Sequence, residues 1–344
     1  MNRRITKVVG CGGVGKGLLF HSPQMETLGR SESRLVTLSD AKDYCKQQIV
    51  FYYIAMLLRG RASVYPIGAV GKDGFGSELI EQMKGQGMDV SCMEKSRLLP
   101  TMLSICLQYP DKEGCNFTAG NSAAGEVTPD FIRKALEKIG IDEETCLVAV
   151  PEIRIDSRVE MMRMGKEKGA FCAISIPAGE ARQFEEANIY PYCDLVSVNE
   201  EEAQAMTGTG KQGRELARET LSYLQRWQPG IALCVTLGKE GACCARGDCL
   251  EWVPAFPAKT VNTTGAGDAF LGAMVGGMAL GLPFFKGREE RCFGDGILTT
   301  APELAAFCAG LAVESPDSIP EEITKELILS EVEKRGWEQK FFEV

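Results

Sequence analysis

The chain has 344 residues, 44% hydrophobic and 25% charged, with a formal net charge of −9, which excludes a disordered chain, a fibrous repeat and the basic footprint of a nucleic-acid binder. Its 14 cysteines run from Cys11 onward with no CxxC pair and no secretory leader before them, so they read as reduced, buried thiols of a cytoplasmic protein. The single histidine, His21, excludes a His-rich metal site and argues against a His-based triad, and Cys243, Cys244 and Cys249 match no common zinc spacing.

A strand is expected at Ile5 to Val9, running into a glycine-rich turn. Residues 18–38 lack helical periodicity and suggest irregular chain with short strands. Helices are expected at 40–59 and 74–84, a strand at 62–67, and strands at 102–109 and 116–119 around a turn at 111–114. From there strands and helices alternate: helix 129–139, strand 146–150, helix 157–168, strand 171–176, strand 194–198, a helix from Asn199 and another at 213–227. A strand at 231–236, a hairpin of 242–246 with 250–254, and helices at 267–281 and 301–314 follow. Such alternation implies an α/β fold with a central, mostly parallel sheet and helices on both faces. The early strands outside that rhythm, in about 18–40 and 99–120, would form a small lid on a single domain spanning 1–344. Residues 269–285 carry no charge, but four glycines and a proline dilute them. A helix buried on all sides is the better reading than a membrane span.

The chemistry concentrates in Val261 to Leu280, VNTTGAGDAFLGAMVGGMAL. A short extended run ends in Gly265-Ala266-Gly267 and turns into a long helix. Free N–H groups at such a helix start, aided by the dipole, form an anion site, and small residues let phosphate approach the backbone. Asp268 in the first turn reads in two ways: as a carboxylate favoured by the dipole, or as a base for a hydroxyl aimed at phosphorus.

TTGAGDAFLGA strongly resembles the signature of the ribokinase (PfkB-type) carbohydrate kinases. Other segments agree in order: Gly71-Lys72-Asp73-Gly74-Phe75-Gly76 looks like the GxDxxG turn. Ser175-Ile176-Pro177-Ala178 resembles the NPA stretch, Val198-Asn199-Glu200-Glu201-Glu202 the NxxE motif, and Thr236-Leu237-Gly238 with Gly241 the nucleotide loop. The resemblance covers about residues 60–320 and implies a ribokinase-like three-layer fold with a small β lid. It implies transfer of the γ-phosphate of ATP to a hydroxyl of a small sugar-like acceptor, with no nucleic-acid or membrane partner. Asp268 would be the base and the amides of Gly265, Ala266 and Gly267 the anion hole. Asn199 and Glu202 would organise Mg²⁺ through water, although a helix cap with its capping-box partner explains the same spacing. Thr236, Gly238 and Gly241 would line the ATP groove, beside a solvated Lys239. Asn121 aligns with a stretch beside the acceptor, where a turn-forming Asn fits equally well. Gly12 and Gly13 would pass beneath the acceptor pocket. A homodimer through the lid is the family's common assembly.

The pattern breaks on the acceptor side. Asn262 replaces a usual Asp, which leaves activation by K⁺ open. Gly15 stands where an acceptor-binding Asp is usual, Lys46-Gln47 and Phe51 replace GGxxxN, and Ile176 replaces the Asn of NPA. The acceptor is therefore expected to be unusual and is not named by the sequence; the role of the 286–299 segment is also left open. Two other readings compete: a silent sugar- or nucleoside-binding homologue (or a nucleoside kinase), and a dinucleotide oxidoreductase. The latter follows from Gly10-Cys11-Gly12-Gly13-Val14-Gly15, a G-x-G-x-x-G after a strand, which also nearly makes a Walker A loop. Both of those motifs require a helix next, and residues 18–38 offer none.

Overall fold

The computed structural model describes residues 4–111, 114–286 and 297–339. The turn at 111–114 falls partly outside these residues, and the 286–299 segment falls largely outside them.

The chain begins with β1 (Lys7–Cys11), β2 (Gly15–His21), β3 (Thr37–Leu38), β4 (Asp43–Tyr44), α1 (Lys46–Leu58), β5 (Ser63–Gly71) and α2 (Gly74–Gly85). It continues through β6 (Met93–Ser96), β7 (Met102–Gln108), β8 (Gly114–Thr118), α3 (Pro129–Ile139), β9 (Thr145–Ala149), α4 (Ile155–Glu167), β10 (Phe171–Ser175) and α5 (Ala181–Glu186). Then come β11 (Leu195–Asn199), α6 (Glu200–Thr207), α7 (Gly213–Gln225), β12 (Ala232–Thr236), β13 (Ala242–Arg246), β14 (Cys249–Val253), α8 (Ala266–Ala279), α9 (Ala301–Ala312) and α10 (Lys325–Lys334).

Nine strands form the central sheet in the order β14-β13-β12-β11-β10-β9-β1-β5-β6. Neighbours from β12 through β6 run parallel, and β13 and β14 close one edge as an antiparallel hairpin. Side chains alternate across this sheet, so each strand feeds two cores. On β9, Cys146 and Val148 join one core with α1, α8 and α9, while Leu147 and Ala149 join the other with α3, α4, α6 and α7. α3 illustrates the local logic: Thr128 accepts from the Phe131 amide, Pro129 sits in the first turn, and Gly140 ends the helix in the left-handed region. α1 and α8 are apolar on nearly every side because each is enclosed between the sheet and other helices. No helix among the described residues is long and apolar enough to cross a membrane.

The second sheet runs β3-β2-β7-β8, with β4 also paired to β2. The glycine-rich turn expected after the first strand is confined to Gly12 through Val14, because β1 runs to Cys11 and the seven-residue strand β2 opens at Gly15. That path removes the helix that a dinucleotide or Walker A loop requires. The helix expected at 40–59 begins only at Lys46, because Asp43–Tyr44 pair with Lys16–Gly17 instead. Asp73 ties the two sheets together. It caps α2 by accepting from the Gly76 amide (2.8 Å), and it accepts from the Thr101 amide (2.8 Å) and Thr101 Oγ1 (2.6 Å) just before β7.

The 13 described cysteines are free thiols, ten of them buried. They pack as small apolar residues.

Candidate active site

α8 delivers Asp268. Its N-cap, Gly265, has φ 80°, a left-handed conformation that a residue with a Cβ adopts at a cost. Neither the Gly265 nor the Gly267 amide makes a hydrogen bond among the described residues, whereas the Ala266 amide donates to Thr263 O at 3.2 Å. The mouth of α8 therefore offers two open donors and one already engaged. Gly267 is exposed, with no atom within 4 Å of where its Cβ would lie. Asn262 fixes the approach to this turn: its Nδ2 donates to Pro316 O (2.9 Å) and its Oδ1 accepts from the Thr264 amide (3.0 Å). The amide group uses both its donor and its acceptor here, a task an ionised Asp cannot perform.

Asp268 does not stand alone. Lys46 Nζ lies 3.7 Å from Asp268 Oδ2. Burial raises the Asp268 pKa above the usual carboxylate value, Lys46 opposes that rise, and Asp43 adds to it. The charge on Asp268 in turn holds Lys46 firmly protonated. The Lys46 amide donates to Glu152 Oε2 at 3.1 Å, and Glu152 follows β9 with φ 75°, an uncommon conformation for a residue with a side chain. Burial pushes the Glu152 carboxyl up to about 7, against the pull of Lys46. Glu202 is likewise raised by burial, with Lys46 opposing and Asp268 contributing. Four elements thus place one ammonium among several carboxylates.

Asn199 and Glu202 form a complete capping box: the Glu202 amide donates to Asn199 Oδ1 and the Asn199 amide to Glu202 Oε2, both at 2.8 Å. Glu202 Oε1 stays outside that exchange. Asn199 pairs in register with Thr236 at the carboxyl ends of β11 and β12. The loop after Thr236 turns on Gly238 (φ 54°) and Gly241 (φ 102°). A Cβ on Gly241 would stand 2.1 Å from Val253 O. Gly12 and Gly13 are buried, and the Gly13 amide donates to Pro151 O (2.9 Å). They provide room rather than donors, since a Cβ on Gly13 would lie 2.3 Å from Glu152 Cβ. Asn121 sits in an exposed turn after β8, and no hydrogen bond among the described residues ties it to the Asp268 group.

Three participants were not singled out from the sequence as site residues: Lys46, which was noted only as a missing glycine, together with Glu152 and Asp43. No motif marks them. They come from α1, the end of β9 and β4, and only the fold brings them together.

The sequence pattern described as "pfkB family carbohydrate kinase" matches residues 50–323. The chain is 30% identical to a ribokinase of Lactococcus lactis over 216 residues, covering 62% of this chain and 65% of that protein, just under two thirds of it. It is 25% identical to fructokinase-2 of Oryza sativa over 272 residues, covering 74% of this chain and 75% of that protein. Among solved structures it is similar to an Arabidopsis thaliana ribokinase complexed with ribose and ATP, at a TM-score of 0.71 and 17% identity, over 95% of this chain and 99% of that one.

Proposed function

The chain belongs to the pfkB family of carbohydrate kinases, and on that premise we propose that it transfers the γ-phosphate of ATP to a hydroxyl of a sugar or sugar-like acceptor, with Asp268 as the base. The observation that carries this reading is a carboxylate in the first turn of α8, beside the open amides of Gly265 and Gly267 and paired with Lys46 at 3.7 Å. As the acceptor oxygen bonds to the γ-phosphorus, the bond to the β-phosphate oxygen breaks and ADP leaves. Asp268 takes the acceptor's proton, and the two amides meet the charge on the transferring oxygens. The loop of Thr236, Gly238 and Gly241 would carry the nucleotide.

Mg²⁺ suits the oxygen donors at the Asn199–Glu202 turn. No cluster of three or more His, Cys, Asp or Glu side chains that could hold a metal occurs among the described residues. Glu202 would therefore act through water on an ion carried by the phosphates. Such an ion neutralises phosphate charge. Asn262 spends its side chain on Pro316 and Thr264, which fits a turn held without a monovalent cation. Buried free thiols fit a reducing, cytoplasmic setting.

The lid sheet supports a homodimer. Leu18, Ile105 and Phe117 align across β2, β7 and β8 on one face, and Ile105 and Phe117 are 40% and 67% exposed. A second copy would cover that apolar face.

The test is acceptor-dependent ADP release from MgATP across sugars, polyols and nucleosides, matched by formation of a phosphorylated acceptor. Binding of such compounds without any transfer would replace this reading with that of a silent homologue.

A further inference from the structure

One carboxylate near the site has no role in the transfer itself. Asp43 on β4 is 7% exposed. Its Oδ2 accepts from Cys106 Sγ at 3.3 Å, while its Oδ1 is buried with no hydrogen-bond partner among the described residues. A buried carboxylate oxygen left without a donor is costly.

The lid strand opposite makes room for it. A Cβ on Gly17 would stand 2.0 Å from Asp43 Oδ2, and a Cβ on Gly15 would stand 2.9 Å from Cys45 Sγ. β2 therefore offers no side chain here, and the acid comes from β4. On the same face, Ser104 donates to Asn116 Oδ1 (2.5 Å) and lies 3.0 Å from Thr118 Oγ1, so that face is polar. Asp43 also belongs electrically to the catalytic group. Its charge raises the pKa of Asp268, Cys45 and Cys106. The groups that face this space are Asp43, Cys45, Lys46, Cys106, Glu152, Glu202 and Asp268, with Lys46 the one cation among them.

We propose that Asp43 is the acceptor-positioning residue, its free oxygen accepting a hydrogen bond from a second hydroxyl of the acceptor while Asp268 deprotonates the reacting one. Its charge makes the pocket favour uncharged polyhydroxylated acceptors over sugar acids and sugar phosphates. A hydroxyl supplies the donor that Oδ1 lacks, whereas a second anion would meet carboxylates that a single lysine does not balance. This inference rests on the phosphotransfer reading above.

The experiment compares kcat and KM for D-ribose, D-fructose and inosine with those for D-ribose 5-phosphate, D-fructose 6-phosphate and D-gluconate, using wild type, Asp43→Asn and Asp43→Glu. The wild type is expected to prefer the best neutral acceptor at least tenfold in kcat/KM. Asp43→Asn is expected to raise its KM tenfold or more, to change kcat less than about threefold, and to lower the neutral-to-anionic preference about tenfold. Asp43→Glu, which keeps the charge, is expected to retain that preference. A purely structural residue would lower stability without moving the preference. Wild-type turnover confined to anionic acceptors, or no neutral acceptor turned over, would overturn the proposal even if Asp43→Asn fails to fold. Asp268→Asn, run alongside, separates the two claims. If it abolishes transfer while Asp43→Asn leaves KM and preference unchanged, only the Asp43 role fails; if it retains transfer, the reading beneath it fails.

Discussion

In the proposed transfer, Lys46 would keep Asp268 usable as a base. Burial pushes the Asp268 pKa up and Lys46 pulls it down, and a base works only while ionised, so activity falls as pH drops through that pKa. Lys46→Met is expected to move the acidic limb of the kcat/KM profile to higher pH and Lys46→Arg to restore it; an unmoved limb in Lys46→Met would refute the pairing. Glu152 bears on stability instead. Its folded pKa, about 7, lies above its unfolded value, so the folded state binds the extra proton. The stability this gives is complete below the unfolded pKa and is lost as pH rises through about 7. Glu152→Gln is therefore expected to gain on the order of 1–3 kcal/mol over wild type at pH 8 and little at pH 4, read from denaturant unfolding at the two pH values. Equal differences at both would contradict the assignment. The sequence disclosed Asp268 because TTGAGDAFLGA is one continuous stretch, and it disclosed the cap of Asn199 and Glu202 because their spacing is local. It hid Lys46 and Glu152, whose meeting with Asp268 depends on how α1, β9 and α8 converge.

α8 separates glycines that shape the fold from one whose Cβ would meet open space. A Cβ on Gly272 would stand 2.4 Å from Val50 O on α1, whereas one on Gly267 would meet nothing within 4 Å. Ala gains up to about 1 kcal/mol over Gly in a helix. Gly272→Ala is nevertheless expected to lose on the order of 1–3 kcal/mol by overpacking against backbone, while Gly267→Ala keeps or gains stability and loses tenfold or more in kcat/KM for ATP. Thermal melts with steady-state kinetics check both. Full activity in Gly267→Ala would argue against phosphate at that mouth. The same distinction explains what was legible among the elements. α3 matches its expected span of 129–139, because a capping Thr, an N-terminal Pro and a terminal Gly all mark it locally. β2 was missed at its start, since the glycines that suggested a turn serve to admit Asp43 and Cys45 beside the strand. β4 was read as helix because pairing with Lys16–Gly17 overrides its local preference. α10 was missed as well, a short helix with only Ile328 and Val332 buried.

Across the whole molecule, parallel strand order brings the ends of β1, β9, β11 and β12 to one side, where ligands bind in open α/β sheets. The alternation of strands and helices made that layout readable, while the pairing of β2 with β7 in the second sheet spans too many residues for local pattern to reveal. The apolar lid face carries a prediction at this scale. Ile105→Glu with Phe117→Glu is expected to convert a dimer into a 37.4 kDa monomer in sedimentation equilibrium, and a wild-type monomer at micromolar concentration would contradict the dimer. The most direct test of the whole account is the Asp268→Asn enzyme. With MgATP and the best acceptor, kcat is expected to fall about 10²-fold or more while the Kd for ATP stays within about threefold. Turnover within about threefold of wild type would contradict the assignment of Asp268 as the base.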